Sequence, residues 1–141
     1  MDLTAEDRLA IIELSSLASH ALDFNDPDGF AGLFAPGGFF QRQAAPRAGG
    51  QIIFRHEGSD ALREFAKAMS AMRGGLTRHW TANIVISPTD TGARGTAYTM
   101  LVANDAEARS VSVLIAGTYQ DVYRKTDAGW RFASRTVVDD M

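Results

Sequence analysis

The hydrophobic period of this chain changes once, near Leu76, and that change limits what it can fold into. Upstream, apolar residues recur at helical spacing; downstream, they alternate. Ile11, Leu14, Ala18 and Ala21, flanked by Leu17 and Leu22, form one stripe behind a variant capping box at Thr4 and Asp7, which predicts a helix over about residues 5–23. Asp26-Pro27 sets an N-cap residue before a proline, and Phe30, Leu33 and Phe34 follow at helical spacing. A short second helix is therefore expected, stopping near Pro36-Gly37-Gly38. Phe39 to Arg42 and Gln51 to Arg55 read as strands, with Ala44 to Gly50 a loose loop between them. Ser59 or Asp60 caps a third helix reaching about Arg73, whose stripe is Leu62, Phe65, Ala66 and Met69.

Beyond Leu76 the alternation places Thr77, His79, Thr81, Asn83 and Val85 on one face of a strand and Arg78, Trp80, Ala82, Ile84 and Ile86 on the other. Turn residues at Ser87 to Gly92, at Asn104-Asp105 and at Asp127 to Gly129 divide the remainder into three further long strands. Three helices followed by a strand meander is an α+β plan. A chain of 141 residues supports one core, so residues 1–141 are read as a single domain.

Charge and composition exclude several classes. The net charge is −3 and the basic residues are scattered, which leaves no track for nucleic acid. No cysteine is present, so disulfides, thiolate metal sites and cysteine nucleophiles are ruled out. The first residues are acidic and no apolar run reaches membrane-spanning length, so no membrane partner and a cytoplasmic location are expected. Arginine outnumbers lysine strongly, a bias that fits a GC-rich bacterial source.

Three stretches carry the chemistry: Ala21 to Phe34, Arg78-His79-Trp80-Thr81-Ala82-Asn83, and Gly117 to Tyr123. They put a carboxylate, Asp23, at a helix end and an imidazole, His79, on a strand. Neutral imidazole accepts a proton near pH 6.5, and a carboxylate on its other nitrogen fixes the tautomer and supports the imidazolium. The bland readings stand beside this one. A regular helical wheel sets Asp23 on the side of Ser16 and Ser19, where a solvated acid is ordinary, and a lone strand histidine is more often a core residue than a base.

The order of elements and these stretches resemble the SnoaL-like branch of the nuclear-transport-factor-two-like superfamily, over roughly Leu3 to Val138. That branch includes polyketide cyclases, scytalone dehydratase and a hexachlorocyclohexane dehydrochlorinase. The resemblance implies a cone in which a curved, mixed or antiparallel sheet wraps three N-terminal helices around a deep apolar pocket. It also implies that Asp23 orients His79 as a general base. The expected function is a cofactor-independent lyase, dehydratase or cyclase acting on a small hydrophobic cyclic substrate. The alternative is a non-catalytic binding or assembly module, similar to the small subunits of ring-hydroxylating dioxygenases. Departures narrow the transfer: Thr96 to Met100 contains no second histidine, Ala18 stands where a dehydrochlorinase-like lysine would fall, and the first helix has no tyrosine for ketosteroid-isomerase chemistry.

Pocket walls are expected from Leu22, Phe34, Phe54, Phe65, Met69, Met72, Trp80 and Tyr98, with Asn83 beside the base. Arg135 is a candidate for holding a substrate anion, although an exposed arginine is the default reading. Gly117, Tyr119, Asp121 and Tyr123 share a strand face that could serve the pocket or a sheet-to-sheet dimer, with packing the preferred reading. His20 and His56 are read as surface residues, with no metal and no cofactor. A homodimer through the sheet is expected, motivated by Val111, Val113, Ile115, Tyr119 and Tyr123.

Overall fold

The structure, a computed structural model, describes residues 1–73 and 76–141. It is an α+β fold with three helices, α1 (Ala5–Asp23), α2 (Pro27–Gly32) and α3 (Ser59–Arg73), and six strands. The strands are β1 (Phe34–Gln43), β2 (Ile52–Glu57), β3 (Thr77–Pro88), β4 (Ala93–Asp105), β5 (Ser110–Thr126) and β6 (Gly129–Asp139). They form one curved, open sheet in the order β2-β1-β6-β5-β4-β3. All neighbours are antiparallel except β1 and β6, which run parallel. Among the described residues no helix is long and apolar enough to cross a membrane.

Local chemistry sets the helix ends. The Thr4 side chain accepts from the Asp7 main-chain N–H while Asp7 accepts from Thr4 N, the reciprocal capping box the sequence predicts. Asp7 does more than cap. Its Oδ1 also accepts from Trp130 Nε1 at 2.7 Å and Lys125 Nζ at 2.8 Å, so the start of α1 is fixed to β5 and β6. At α2, Asp26 accepts from Gly29 N and Pro27 occupies the first turn.

Between helices and sheet lies an aromatic core. Phe30 stands at 5.3 to 6.1 Å from Phe34, Phe40 and Phe65, and Phe65 in turn packs on Phe54 and His56. Such ring pairs each contribute about 0.5–1.5 kcal/mol beyond area burial. Arg135 is buried within the same core. Its guanidinium donates to both carboxylate oxygens of Asp121 and to Ser15 Oγ, and it lies 3.8 Å over the Tyr119 ring; Tyr123 donates to Asp121 as well. The exposed arginine of the sequence reading is therefore corrected to one 2% exposed. Among the described residues no buried side-chain nitrogen or oxygen lacks a partner, which is the condition for keeping an ion pair out of water.

Three other expectations change. The second helix ends at Gly32 and Phe34 begins β1, because the bulge between Phe34 and Phe39 admits Pro36-Gly37-Gly38 within the strand, with Gly37 at φ +73°. Ala44 to Gly50 is not a loose loop: Ala44 and Ala45 are buried, Pro46–Ala48 forms a 3₁₀ turn, and Gly50 N closes on Ala45 O. Along β3 the alternation breaks. Ala82 pairs with Tyr98 and Val85 with Thr96, so β3 holds one residue more than β4 at this point, and Asn83 takes φ +55°. Ile84 and Ile86 thus turn inward, while Asn83 and Val85 leave the face they would share with His79 and are exposed.

Candidate functional site

The C-terminal end of α1 meets the start of β3. His79 Nδ1 lies 2.6 Å from Asp23 Oδ1, and the His79 main-chain N–H donates to Oδ2 at 3.0 Å. The Asp23 side chain is 5% exposed and that of His79 17%. An ionised carboxylate can only accept, so Nδ1 carries a ring proton, and in the neutral imidazole Nε2 then keeps its lone pair. The placement overrides the wheel argument for a solvated acid, since wheel angles lose meaning in the last turn of a helix. Ser70 of α3 donates to Leu22 O, adjacent to Asp23, and so ties the helix end in place.

His79 lines an apolar pocket of about 90 Å³ with Leu22, Phe40, Phe54, Phe65, Met69 and Leu101. Thr99, Tyr119, Arg42, Ile115 and Val137 complete its wall. Of the residues expected there from sequence, Leu22, Phe54, Phe65 and Met69 meet in this pocket. The others do not. Phe34 is buried in the core against Phe30 and Phe132. Trp80 and Tyr98 are 61% and 63% exposed and line a groove on the outer face of the sheet together with Asn83. Met72 is exposed, and Arg135 lies beneath Tyr119 and holds Asp121. For Trp80 and Tyr98 the reason is strand parity: on β3 and β4 they alternate with the inward residues His79, Thr99 and Leu101.

Sequence reasoning missed Arg42 and under-read Tyr119. Arg42 stands two residues after inward-facing Phe40 on β1 and opposite Phe54 and Val137, so strand parity was the available signal. Tyr119 was assigned to packing, yet it borders the pocket, with its hydroxyl beside Thr99. Burial pushes its phenol above the ordinary range, and the positive charge of Arg135 under the ring works in the opposite direction. His56 is half-buried rather than a surface residue; it stacks on Phe65, and desolvation lowers its pKa. Val111 and Val113 are exposed as the dimer expectation requires, but Ile115 and Tyr119 face the pocket and Tyr123 the core. Among the described residues no three His, Asp or Glu side chains are grouped to hold a metal ion.

Comparison with known proteins gives the site a context. A family model described as a SnoaL-like domain matches residues 3–136. Rv3472 of Mycobacterium tuberculosis, a protein of unknown function, is similar at 27% identity and a TM-score of 0.78, covering 94% of this chain and 70% of that one. A protein of unknown function with a cystatin-like fold from Nostoc punctiforme is similar at 25% identity and a TM-score of 0.80, covering 99% and 96%. The fold alone is shared with the beta subunit of a candidate aromatic-ring-hydroxylating dioxygenase from Novosphingobium aromaticivorans, at 19% identity and a TM-score of 0.76, covering 94% and 88%. A search of curated proteins finds no match.

Proposed function

This chain belongs to the SnoaL-like domain family, and we propose that it is a cofactor-independent lyase, dehydratase-like or cyclase enzyme acting on a small cyclic apolar substrate. The observation that carries the reading is the double engagement of Asp23 by the ring and main-chain N–H of His79 at the wall of an apolar pocket. In this mechanism His79 Nε2 removes a proton next to an activating group of the substrate, and Asp23 stabilises the imidazolium that forms. Tyr119 and Thr99 supply hydroxyls on the same wall for oxygen that gains negative charge. The apolar lining excludes water, which strengthens each of these contacts.

The test is a pair of variants assayed against a library of enolisable and hydroxylated cyclic compounds. His79→Ala lowers turnover by roughly 10²-fold or more, because a positioned base contributes about 10²–10⁴-fold. Asp23→Asn is also costly, and the double variant is no worse than the poorer single one, since the two side chains act as a unit. Wild-type activity that survives His79→Ala within a few fold ends the proposal. A second reading, the assembly subunit, is favoured by one observation: the outer face of the sheet exposes Trp80, Tyr98, Met100 and Val122. In that reading no compound turns over at all. For the enzyme reading the same face is proposed as the contact of a homodimer.

A further inference from the structure

Arg42 is the one permanently cationic side chain among the described residues that line the pocket, and its placement follows from the sheet. It projects from the inward face of β1, flanked by Phe54 on β2 and Val137 on β6. Asp139, two residues beyond Val137 on the same face of β6, takes one edge of the guanidinium: Nε lies 3.0 and 3.1 Å from its two oxygens and Nη2 lies 2.9 Å from Oδ2. The planar fork of an arginine offers five N–H groups, and Asp139 engages only the Nε side. Nη1 stands outside that pair. The side chain is 30% exposed, against 11% for Asp139, so the cation is the more accessible partner.

We infer that the pocket is built for an acid: Arg42 receives the oxyanion, a carboxylate or its equivalent, of a ligand whose small ring rests on Phe40, Phe54, Phe65 and Met69. This deepens the reading of the pocket as a substrate site. Asp139 orients the guanidinium and leaves the Nη1 side for the ligand, as a carboxylate behind a binding arginine does. Burying a charged ligand group beside apolar walls is costly unless a fixed partner meets it, and Arg42 is that partner here. Two further carboxylates stand behind this wall, Asp23 engaged by His79 and Asp121 engaged by Arg135 beneath Tyr119, so their charges oppose an anion only from behind those partners.

The experiment compares benzoate with its neutral isostere benzamide, titrated by calorimetry against the full-length protein at pH 8.5 and at pH 5.5. A guanidinium stays charged at both pH values, so an anion preference that persists at pH 8.5 reports it. Wild type binds benzoate at least tenfold more tightly than benzamide at pH 8.5. Arg42→Gln removes the preference while benzamide binding stays within about threefold, and Arg42→Lys keeps part of it. Asp139→Asn raises benzoate affinity several-fold. Should Arg42→Gln fail to fold, the Asp139→Asn arm decides, because unchanged or weakened benzoate binding there overturns the inference. Equal binding of the two probes by wild type, no binding of either at millimolar concentration, or a preference seen only at pH 5.5 also overturns it. None of these outcomes touches the base proposal, which stands or falls on His79→Ala turnover.

Discussion

Asp23 breaks a local rule. A carboxylate at the C-terminal end of a helix faces the negative end of the helix dipole, an arrangement unfavourable by about 0.3–1 kcal/mol. Two donors from one residue, His79, offset this, which ties the aspartate's siting to the imidazole and to little else. Asn83 is a second residue whose identity answers to geometry. It sits at φ +55° in the β3 bulge, a conformation asparagine and glycine tolerate and β-branched residues do not. Asn83→Gly is expected to leave stability within a few tenths of a kcal/mol, whereas Asn83→Val costs about 1–2 kcal/mol by the left-handed penalty. Urea denaturation checks both, and equal stabilities of the two variants would show that the bulge relaxes.

Helix α1 is fixed at both ends by side-chain contacts to other elements. At the C-terminal end the fixing comes from Asp23 and from Ser70 of α3. The N-terminal anchor is Asp7, whose carboxyl is kept far below the ordinary range by the hydrogen bonds from Lys125, Trp130 and Thr4. A carboxyl with a depressed folded-state pKa adds stability above its unfolded value, about 4, and that stability is lost as pH falls through the folded value. Wild type is therefore expected to lose more Tm between pH 7 and pH 3 than Asp7→Asn does, the variant starting from a lower Tm at pH 7. Parallel losses in thermal melts would sink this account. The helices and their caps were legible because capping and helical spacing are local properties. The end of α2 was not, since Phe34 fits a helical stripe equally well until β6 pairs with it.

At the scale of the whole molecule, the sheet has an inner face covered by helices and an outer face that keeps Trp80 and Tyr98 in water. Trp80 pairs with Met100 and Ala82 with Tyr98, so these apolar side chains form one contiguous strip across β3 and β4. A strip of that kind is commonly a partner site. Light scattering at micromolar concentration is expected to give roughly twice the 15.2 kDa of one chain, and Trp80→Glu with Tyr98→Glu to return it to the monomer mass. A wild-type monomer would refute the dimer proposal.

The sequence by itself determined the α+β class and the extents of α1 and α3. These follow from period and caps, which are written along the chain, whereas the pairing of Asp23 with His79 was implied by the family resemblance and not by local spacing. The tertiary structure decided which of the aromatic side chains expected at the pocket face it. One inserted residue in β3 reverses the alternation after Ala82, and strand parity sends Trp80 and Tyr98 outward while it brings Arg42 and Tyr119 inward. It also decided that Arg135 is buried, because an arginine enters a core only where Asp121, Ser15 and Tyr119 arrive from other elements to receive its charge.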